Sequence, residues 1–598
     1  MQNNIEKKNS SQTFLKGAMV LSISMIVVKL CGMIYKIMLT KIYSEIGDNF
    51  GGIGSGLFAN AYELYIPLFT LATAGFPIAV SRLISESVAQ NRYKDVKLIH
   101  KVSKPFFIIM GLICFLLMMG LSFFYVDFID SPDALPAMMM LSPAIFFGCI
   151  VSIYRGYFEG QRNMTPTAVS EIVEAAVKMI LGLSMSYLVI RIGKNEIYTK
   201  GTLFGQYFAK KSDALSTLTS YSVAVAVLAI SLGGLFSYIA LRIIYSRSKN
   251  AIPQEYFENS VDARTQKETF RMLLKTAIPV GLAALVMSIS STVDAVIIQR
   301  VLLNTAQTNR ETFLAQFGGN LDNLIPLDKS EEIKIHTYLW GAFGNALTIM
   351  QLVTAVTQVF GTSAMPSVTN AYTKGDKEDL RTSISTVLKL TSLVTFPAGI
   401  GMCVLSSPIM RLLYESEKDP YLWQIGGKIL CVMGISVIFI AISTPICSML
   451  QGVGRIDMPL KLYSIAMILK IALNYVFVSI VSINVIGGAV GSLVAYLFVC
   501  IVGMYFLIKK AGVVPDFVNS MLKPFFSSLV CGAVAYLSYD LLTNIMPSAV
   551  ATLGSIAVAA IFYIIALLLL HTFSENEVKM LPKGKKVVTI LAKLHLLR

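Results

Sequence analysis

Lys29 and Lys36 lie seven residues apart within one long apolar run, so a helix there puts both ammonium groups on the same face. Other apolar runs are interrupted in the same way: by Glu63, by Glu171, Glu174 and Lys178, by Asp294, by Asn345, Gln351 and Gln358, and by Lys470 and Asn474. An ionised side chain at mid-bilayer depth costs about 2.5–3.5 kcal/mol on insertion scales, so a chain that keeps several of them needs a reason. Ammonium groups donate charge-assisted hydrogen bonds and suit a phosphate or pyrophosphate. Glu174 precedes Lys178 by four residues, the favourable order for a helical ion pair. Carboxylates among lysines either balance them or hold a coupling cation. Each residue also has a plainer reading. Lys36 can snorkel to the interface, Glu171 can sit in water at a helix end, Glu174 and Lys178 can be a structural pair, and the glutamines can bond between helices. Together, Lys29, Lys36, Glu174, Lys178, Asp294, Asn345, Gln351, Lys470 and Asn474 point to a water-filled cavity with cationic walls.

The elements that must position these groups are membrane helices. Only 14% of the 598 residues are charged against 55% hydrophobic, too little charge to cover a soluble protein of this size. Apolar runs of spanning length recur from end to end, and lipid offers the backbone no partners, so the spans must be helical. Fourteen are expected, at 14–40, 56–84, 105–126, 136–158, 166–191, 217–245, 271–299, 337–365, 384–410, 425–450, 459–482, 485–508, 522–543 and 547–571. With a cytoplasmic N-terminus, most of the 50 Lys and Arg fall on inner segments, as the positive-inside rule requires; an even number of spans then puts both termini in the cytoplasm. One loop runs against the rule. Residues 191–216 carry Arg191, Lys194, Lys200, Lys210 and Lys211 on the expected outer side, which implies an anionic contact there or a miscounted span.

The net charge of +15 follows from this topology, and no nucleic-acid partner is expected. The polar first thirteen residues and the long span after them do not look like a cleaved signal. Eight scattered cysteines without a CxxC pair and four histidines suggest no metal site. The GGIGSG stretch, Gly51 to Gly56, lacks the spacing and the preceding strand of a dinucleotide fingerprint, and no GxxxxGK[ST] loop occurs. No cofactor, ATPase subunit or enzymatic activity is expected. Driving energy would come from a coupling cation, the membrane potential or the substrate's own gradient.

The chain echoes itself. GQRNMTP, Gly160 to Pro166, precedes the helix with Lys178, and GVGRIDMP, Gly452 to Pro459, precedes the helix with Lys470. Phe76-Pro77 pairs with Met365-Pro366, and Leu15-Lys16-Gly17-Ala18 with Leu274-Lys275-Thr276-Ala277. A duplicated helix bundle is the usual architecture of transporters, with the site at the seam between halves. The expected organisation is an N-terminal lobe at 1–245, a polar linker at 246–270, a C-terminal lobe at 271–510, an extra helix pair at 511–571 and a basic tail at 572–598.

KGAMVLSISMIVVKLCGMIYKI from Lys16, YELYIPLFTLATAGFPIAVSRLISE from Tyr62 to Glu86, and YFEGQRNMTPTAVSEIVE from Tyr157 to Glu174 resemble a known branch of membrane proteins. It is the MurJ and stage V sporulation protein B branch of Gram-positive bacteria, in the multidrug/oligosaccharidyl-lipid/polysaccharide (MOP) exporter superfamily. The likeness runs over nearly the whole chain. It implies an all-α polytopic membrane protein with two pseudo-symmetric six-helix lobes in a V and a C-terminal helix pair. It also implies alternating access and flipping of a lipid-linked sugar, lipid II in the MurJ case. It implies basic residues on the first helix facing a central cavity. Lys29 matches the first of these, and Lys36 the second at a spacing one residue longer. A lysine in place of the family's usual arginine keeps the charge and loses the bidentate fork. Asp294 matches an acidic or amide position in the seventh helix, and Glu63 departs from the family pattern.

The expectation is a flippase in the cytoplasmic membrane of a Gram-positive-type bacterium. Its substrate would be a polyprenyl-pyrophosphate-linked saccharide, lipid II or a related cell-wall or polysaccharide precursor, with membrane lipids as the other partner. Lys29, helped by Lys36, Lys178 and Lys470, would hold the pyrophosphate, and Asn345 and Gln351 would meet the sugars. The tail would lie beside helices thirteen and fourteen while the lobes rock about 246–270. One alternative is a cation-coupled multidrug exporter of the same superfamily, which would prefer an acidic, aromatic-lined cavity and fewer spans. Another is a membrane enzyme acting on lipid-linked sugar, for which the 300–336 loop offers Asp322, Asp328, Glu331, Glu332 and His336. A third is a transporter-like scaffold. The identity of the saccharide, the coupling ion and the oligomeric state are left open by the sequence.

Overall fold

A computed structural model describes residues 2–161, 163–247, 258, 260–317, 321–326, 332–455 and 457–573. By packing, the chain divides into two compact units, Met1–Gly344 and Asn345–Arg598. The first contains α1 (Gln2–Ser44), α2 (Phe50–Thr73), α3 (Gly75–Ala89), α4 (Tyr93–Ile129), α5 (Leu135–Leu141), α6 (Pro143–Gly160), α7 (Thr165–Lys200), α8 (Lys211–Arg247), α9 (Gln266–Thr308) and α10 (Arg310–Ala315). The division falls within α11 (Ile335–Lys374). The second unit continues with α12 (Lys377–Val404), α13 (Ser406–Tyr414), α14 (Pro420–Gly452), α15 (Met458–Ser479) and α16 (Ile486–Ala511). A π-helical turn at Val518–Leu522 then leads into α17 (Lys523–Thr543) and α18 (Ser548–Leu569).

Every expected span falls on helix. Among the described residues thirteen segments are long and apolar enough to cross a membrane, and α9 covers the remaining expected span at 271–299. Three spans are interrupted where a proline withholds a backbone N–H, one of them at Ser142, where α5 gives way to α6 because Pro143 cannot bond Met139. Pro77 cannot bond Thr73, and α2 gives way to α3 at Ala74; Pro408 cannot bond Val404, and α12 gives way to α13 at Leu405.

The GGIGSG stretch is the buried opening of α2. A Cβ on Gly56 would stand 2.0 Å from the Thr337 carbonyl oxygen, and one on Gly54 would stand 2.5 Å from the Tyr43 ring. Its glycines let α2 touch α1 and the start of α11 almost backbone to backbone, as small residues four apart do between membrane helices. Bonds from α9 tie it into the same unit. Thr292 Oγ1 donates to the Glu63 carbonyl oxygen at 2.6 Å, and Gln299 Nε2 to Asn60 Oδ1 at 2.9 Å.

The basic loop 191–216 is mostly helix. α7 has 36 residues and α8 has 37, each about 54 Å long and well beyond the roughly 30 Å hydrocarbon layer. Both flanking spans are present as expected, and the two helices run longer than a bilayer requires, taking in most of the basic stretch. A two-stranded hairpin joins them, β1 (Thr202–Leu203) pairing antiparallel with β2 (Gln206–Tyr207). The Glu196 carboxylate ties its turn by accepting from Thr202 Oγ1 and from the N–H groups of Phe204 and Gly205 at 2.8–3.0 Å.

Echoed sequence produces echoed packing. GQRNMTP and GVGRIDMP form the α6–α7 and α14–α15 turns, and each puts its proline, Pro166 or Pro459, in the first turn of the next helix. Arg162 and Ile456 lie outside the described residues. A Cβ on Gly160 would stand 2.8 Å from the Ser81 carbonyl oxygen, four residues after Pro77. A Cβ on Gly452 would meet Thr369 Oγ1 at 3.1 Å, three residues after Pro366. In both units the leading glycine seats one helix on the stretch that follows the echoed proline.

Much of the expected linker lies outside the described residues (248–257 and 259), but its far end is fixed. Asp95, 1% exposed, accepts from Arg92 Nε at 2.7 Å and from the Arg264 N–H at 2.8 Å, while Lys94 reaches Asp262 at 3.1 Å. Thr265 then caps α9 by accepting from the Glu268 N–H at 3.3 Å. Residues 260–265 are therefore tied to α4 and do not swing freely. Asp95→Ala would strand two arginines and is expected to cost about 3 kcal/mol or more. It should lower the Tm in detergent and speed proteolytic nicking at 246–270, whereas Asp262→Ala, an exposed partner, should do little.

Candidate binding site

The first unit assembles a charged wall where α1 lies along α7. Ser24 Oγ donates to Glu171 Oε2 at 3.3 Å, and Tyr35 OH donates to the Ala226 carbonyl oxygen at 2.7 Å. A Cβ on Gly182 would stand 2.2 Å from Tyr35 OH, so glycine is what admits α1 so closely. This brings the Lys178 ammonium 5.6 Å from the Tyr35 ring centroid and within electrostatic reach of Lys29 and Glu174. Lys29 is exposed and makes no hydrogen bond or ion pair among the described residues.

Lys36 faces inward rather than snorkelling. Its ammonium donates to the Gly344 carbonyl oxygen at 2.5 Å, and the buried Glu63 is near enough for its charge to act on it. Asp294, on α9, is buried in the same unit. The two lysines of α1 thus differ. Lys36 is anchored to protein, and Lys29 is presented.

The expected Glu174–Lys178 pair is replaced by a stronger one. Arg155, on α6, donates to Glu174 Oε2 at 2.9 Å and to Ser170 Oγ at 2.9 Å, with Ser237 Oγ at 3.4 Å. A guanidinium fork on three acceptors outcompetes the flexible lysine one turn along α7. Arg155, Glu159, Glu171 and Glu174 line a cavity of about 220 Å³ together with Tyr65, Phe69 and Thr73. Ligand pockets for drug-sized molecules run about 300–1,000 Å³, so this one has room for water or an ion and is too small for a saccharide headgroup. Arg155 and Glu159 went unweighted in the sequence, although two charges four residues apart at the end of the apolar run 136–158 were a readable signal.

In the second unit Gln351 is exposed and Lys470 half-buried on α15. Asn345 and Asn474 are fully buried. A Cβ on Gly491 would stand 2.1 Å from Asn474 Oδ1, so Asn474 packs closely between α15 and α16. Asn345 is likewise withdrawn from any open surface. One turn of separation from Lys470 signalled a shared face, but it could not show that α16 covers the Asn474 end of it.

Among the described residues of the 300–336 loop, Glu332, Lys334 and His336 are held by contacts within the fold, and Asp322 is exposed. Lys334 bridges Asp133 at 2.8 Å and Glu332 at 3.3 Å, and His336 Nε2 meets the Asp130 carbonyl oxygen at 3.1 Å. Burial pushes the Glu332 pKa above the usual carboxylate range. Burial also works to lower the Lys334 pKa, but Asp133 and Glu332 outweigh it and hold it above the usual lysine value. Asp328 and Glu331 lie outside the described residues.

Long apolar helices and an internal echo define a multi-pass membrane protein of transporter architecture. Residues 14–320 match the family described as polysaccharide biosynthesis protein, and residues 339–476 match MatE. The chain belongs to the polysaccharide biosynthesis protein family, within the MOP superfamily. It is similar to the lipid II flippase MurJ of Bacillus subtilis (strain 168), 22% identical over 84% of each chain. It is also similar to stage V sporulation protein B of the same organism, 20% identical over 96% of this chain and 98% of that one. A solved structure of the lipid II flippase MurJ in an inward closed conformation shares the fold, with a TM-score of 0.62 at 16% identity over 92% of this chain and 99% of that one.

Proposed function

We propose that this protein flips a polyprenyl-pyrophosphate-linked saccharide, lipid II or a related cell-wall or polysaccharide precursor, across the cytoplasmic membrane by alternating access, with both termini in the cytoplasm. The observation that carries the proposal is the exposed Lys29 beside Lys178. Two like charges brought together in a membrane helix pair repel one another, and a pyrophosphate between them relieves that repulsion. By taking the Glu174 carboxylate, Arg155 keeps Lys178 from being fully neutralised, which preserves the cationic wall. Gln351 is an exposed amide that would meet sugar, and Lys470 is a further cation in the second unit. The name of one relative, the lipid II flippase MurJ, supports the same substrate class. The carboxylates around Arg155 are where a coupling cation would be held; the membrane potential is the other source of energy.

Lys29→Ala removes a charge-assisted contact of roughly 1.5–3 kcal/mol, so transport should fall about tenfold or more, with Lys29→Arg restoring most of it. Leaflet-resolved detection of the lipid-linked precursor, in cells that depend on this protein, measures the effect. A well-expressed Lys29→Ala variant flipping at the wild-type rate would refute the assignment. A cation-coupled multidrug exporter is the second reading, favoured by the acidic, aromatic-walled cavity of Tyr65, Phe69, Glu171 and Glu174. Drug resistance on overexpression, without rescue of precursor flipping, would select it.

A further inference from the structure

A polar stripe on α12 takes no part in the charged wall. Glu378, Arg381, Thr382, Ser385, Thr386 and Lys389 recur at intervals of three and four residues, so they share one face over about 16 Å of helix. They line a cavity of about 300 Å³ in the second unit, bounded opposite by the π-helical turn and by Thr572 just after α18. π turns are rare and mark functional sites more often than chance. This one is pinned to the stripe, since Ser520 Oγ donates to the Ser385 carbonyl oxygen at 2.9 Å and the Asp516 N–H donates to Ser385 Oγ at 2.9 Å.

The chemistry of the cavity favours an anion. Lys389 is only 7% exposed, and the Thr572 carbonyl oxygen, at 2.6 Å, is one of the partners that fix its side chain beside the cavity. The Thr572 hydroxyl, in a residue 1% exposed, has no hydrogen-bond partner among the described residues. Leaving such a group unmet costs about 1–3 kcal/mol. Arg381 spends Nε on the Val514 carbonyl oxygen at 3.1 Å, and its terminal amino groups make no bond among the described residues. Two carboxylates also line the cavity: Asp516 accepts from the Asn519 N–H and amide at 3.2 and 2.6 Å, and Glu378 is exposed. Beside the cavity Val518, Leu522 and Phe526 expose apolar side chains along the π turn and the start of α17, a track for acyl chains.

We infer that this cavity binds the phosphate of an anionic membrane lipid, with Arg381 and Lys389 as the cationic clamp and Thr572 as a hydroxyl donor. By the proposed topology it opens to the cytoplasmic leaflet. The binding assay contains no transport step, so its outcome is separate from that of the flippase proposal.

Native mass spectrometry of the purified full-length protein, titrated with phosphatidylglycerol or phosphatidylcholine, tests the site. Phosphatidylglycerol should be retained in preference. Arg381→Gln, at an exposed position that does not endanger folding, and Thr572→Val should each weaken retention about tenfold, and Lys389→Met more. Competition by sodium phosphate alone would show that the phosphate group suffices, and stronger competition by polyprenyl phosphate would assign the site to the carrier lipid. Equal retention of the two glycerolipids, or unchanged phosphatidylglycerol binding in folded Arg381→Gln and Thr572→Val proteins, would overturn the inference.

Discussion

Arg155→Ala should abolish transport and cost about 3 kcal/mol of stability, the lower end for breaking a buried ion pair, because Glu174 is 35% exposed. The substitution removes the one guanidinium from a small cavity that also contains Glu159, Glu171 and Glu174. It strips donors from Ser170, Glu174 and Ser237 at once. The functional loss has a second cause. Without Arg155, Glu174 turns to Lys178, already within its electrostatic reach, and the cationic wall is neutralised. Arg155→Lys should retain part of the stability and little of the geometry, since one ammonium cannot serve all three acceptors. Removing both partners, as Arg155→Met with Glu174→Gln, should restore much of the Tm, because no uncompensated charge remains. Thermal unfolding in detergent and precursor flipping in cells read the two effects separately. Wild-type Tm and transport in Arg155→Ala would show the pair to be incidental.

Gly56→Ala should be nearly as damaging for a purely steric reason. Its Cβ would stand 2.0 Å from the Thr337 carbonyl oxygen, and backbone cannot rotate away as a side chain would. Relief requires α2 and the start of α11 to part by more than an ångström. That breach also disturbs the neighbouring close approach of Gly341 to the Gly52 carbonyl oxygen, where a Cβ would stand 2.1 Å away. Overpacking of this kind costs about 1–3 kcal/mol, and at a backbone contact the upper part of that range applies. Folded yield and Tm should both fall. Gly32→Ala and Gly120→Ala are the controls, because a Cβ at either has nothing within 4 Å. Equal tolerance of Gly56→Ala and Gly32→Ala would mean that α2 does not seat on α11 in this way.

The glycines show how sequence and structure divided the information. GGIGSG was recognisably not a nucleotide loop, yet nothing local showed that it makes a near backbone-to-backbone helix contact, because a glycine's partner is chosen by whichever helix arrives. The same limit explains the charged wall. The spacing of Lys29 and Lys36 put them on one face, but Lys36 met the Gly344 carbonyl oxygen, 308 residues away in sequence, and Lys29 makes no hydrogen bond or ion pair among the described residues. Glu174 and Lys178 obeyed the four-residue rule and still parted, because Arg155 came from another helix with a better fork.

By itself the sequence determined that this is a membrane protein, where its helices lie, that they repeat, and which family it resembles. Those properties depend on hydropathy over twenty residues and on turn chemistry over seven, both written locally in the chain. Only the tertiary structure decided which charges face one another, that Asn345 and Asn474 are buried, that residues 260–265 are tied to α4, and that a polar stripe on α12 closes over a cavity. Those properties depend on contacts between residues far apart in the chain, and local spacing restricts such contacts to a face of a helix without choosing the neighbour that covers it.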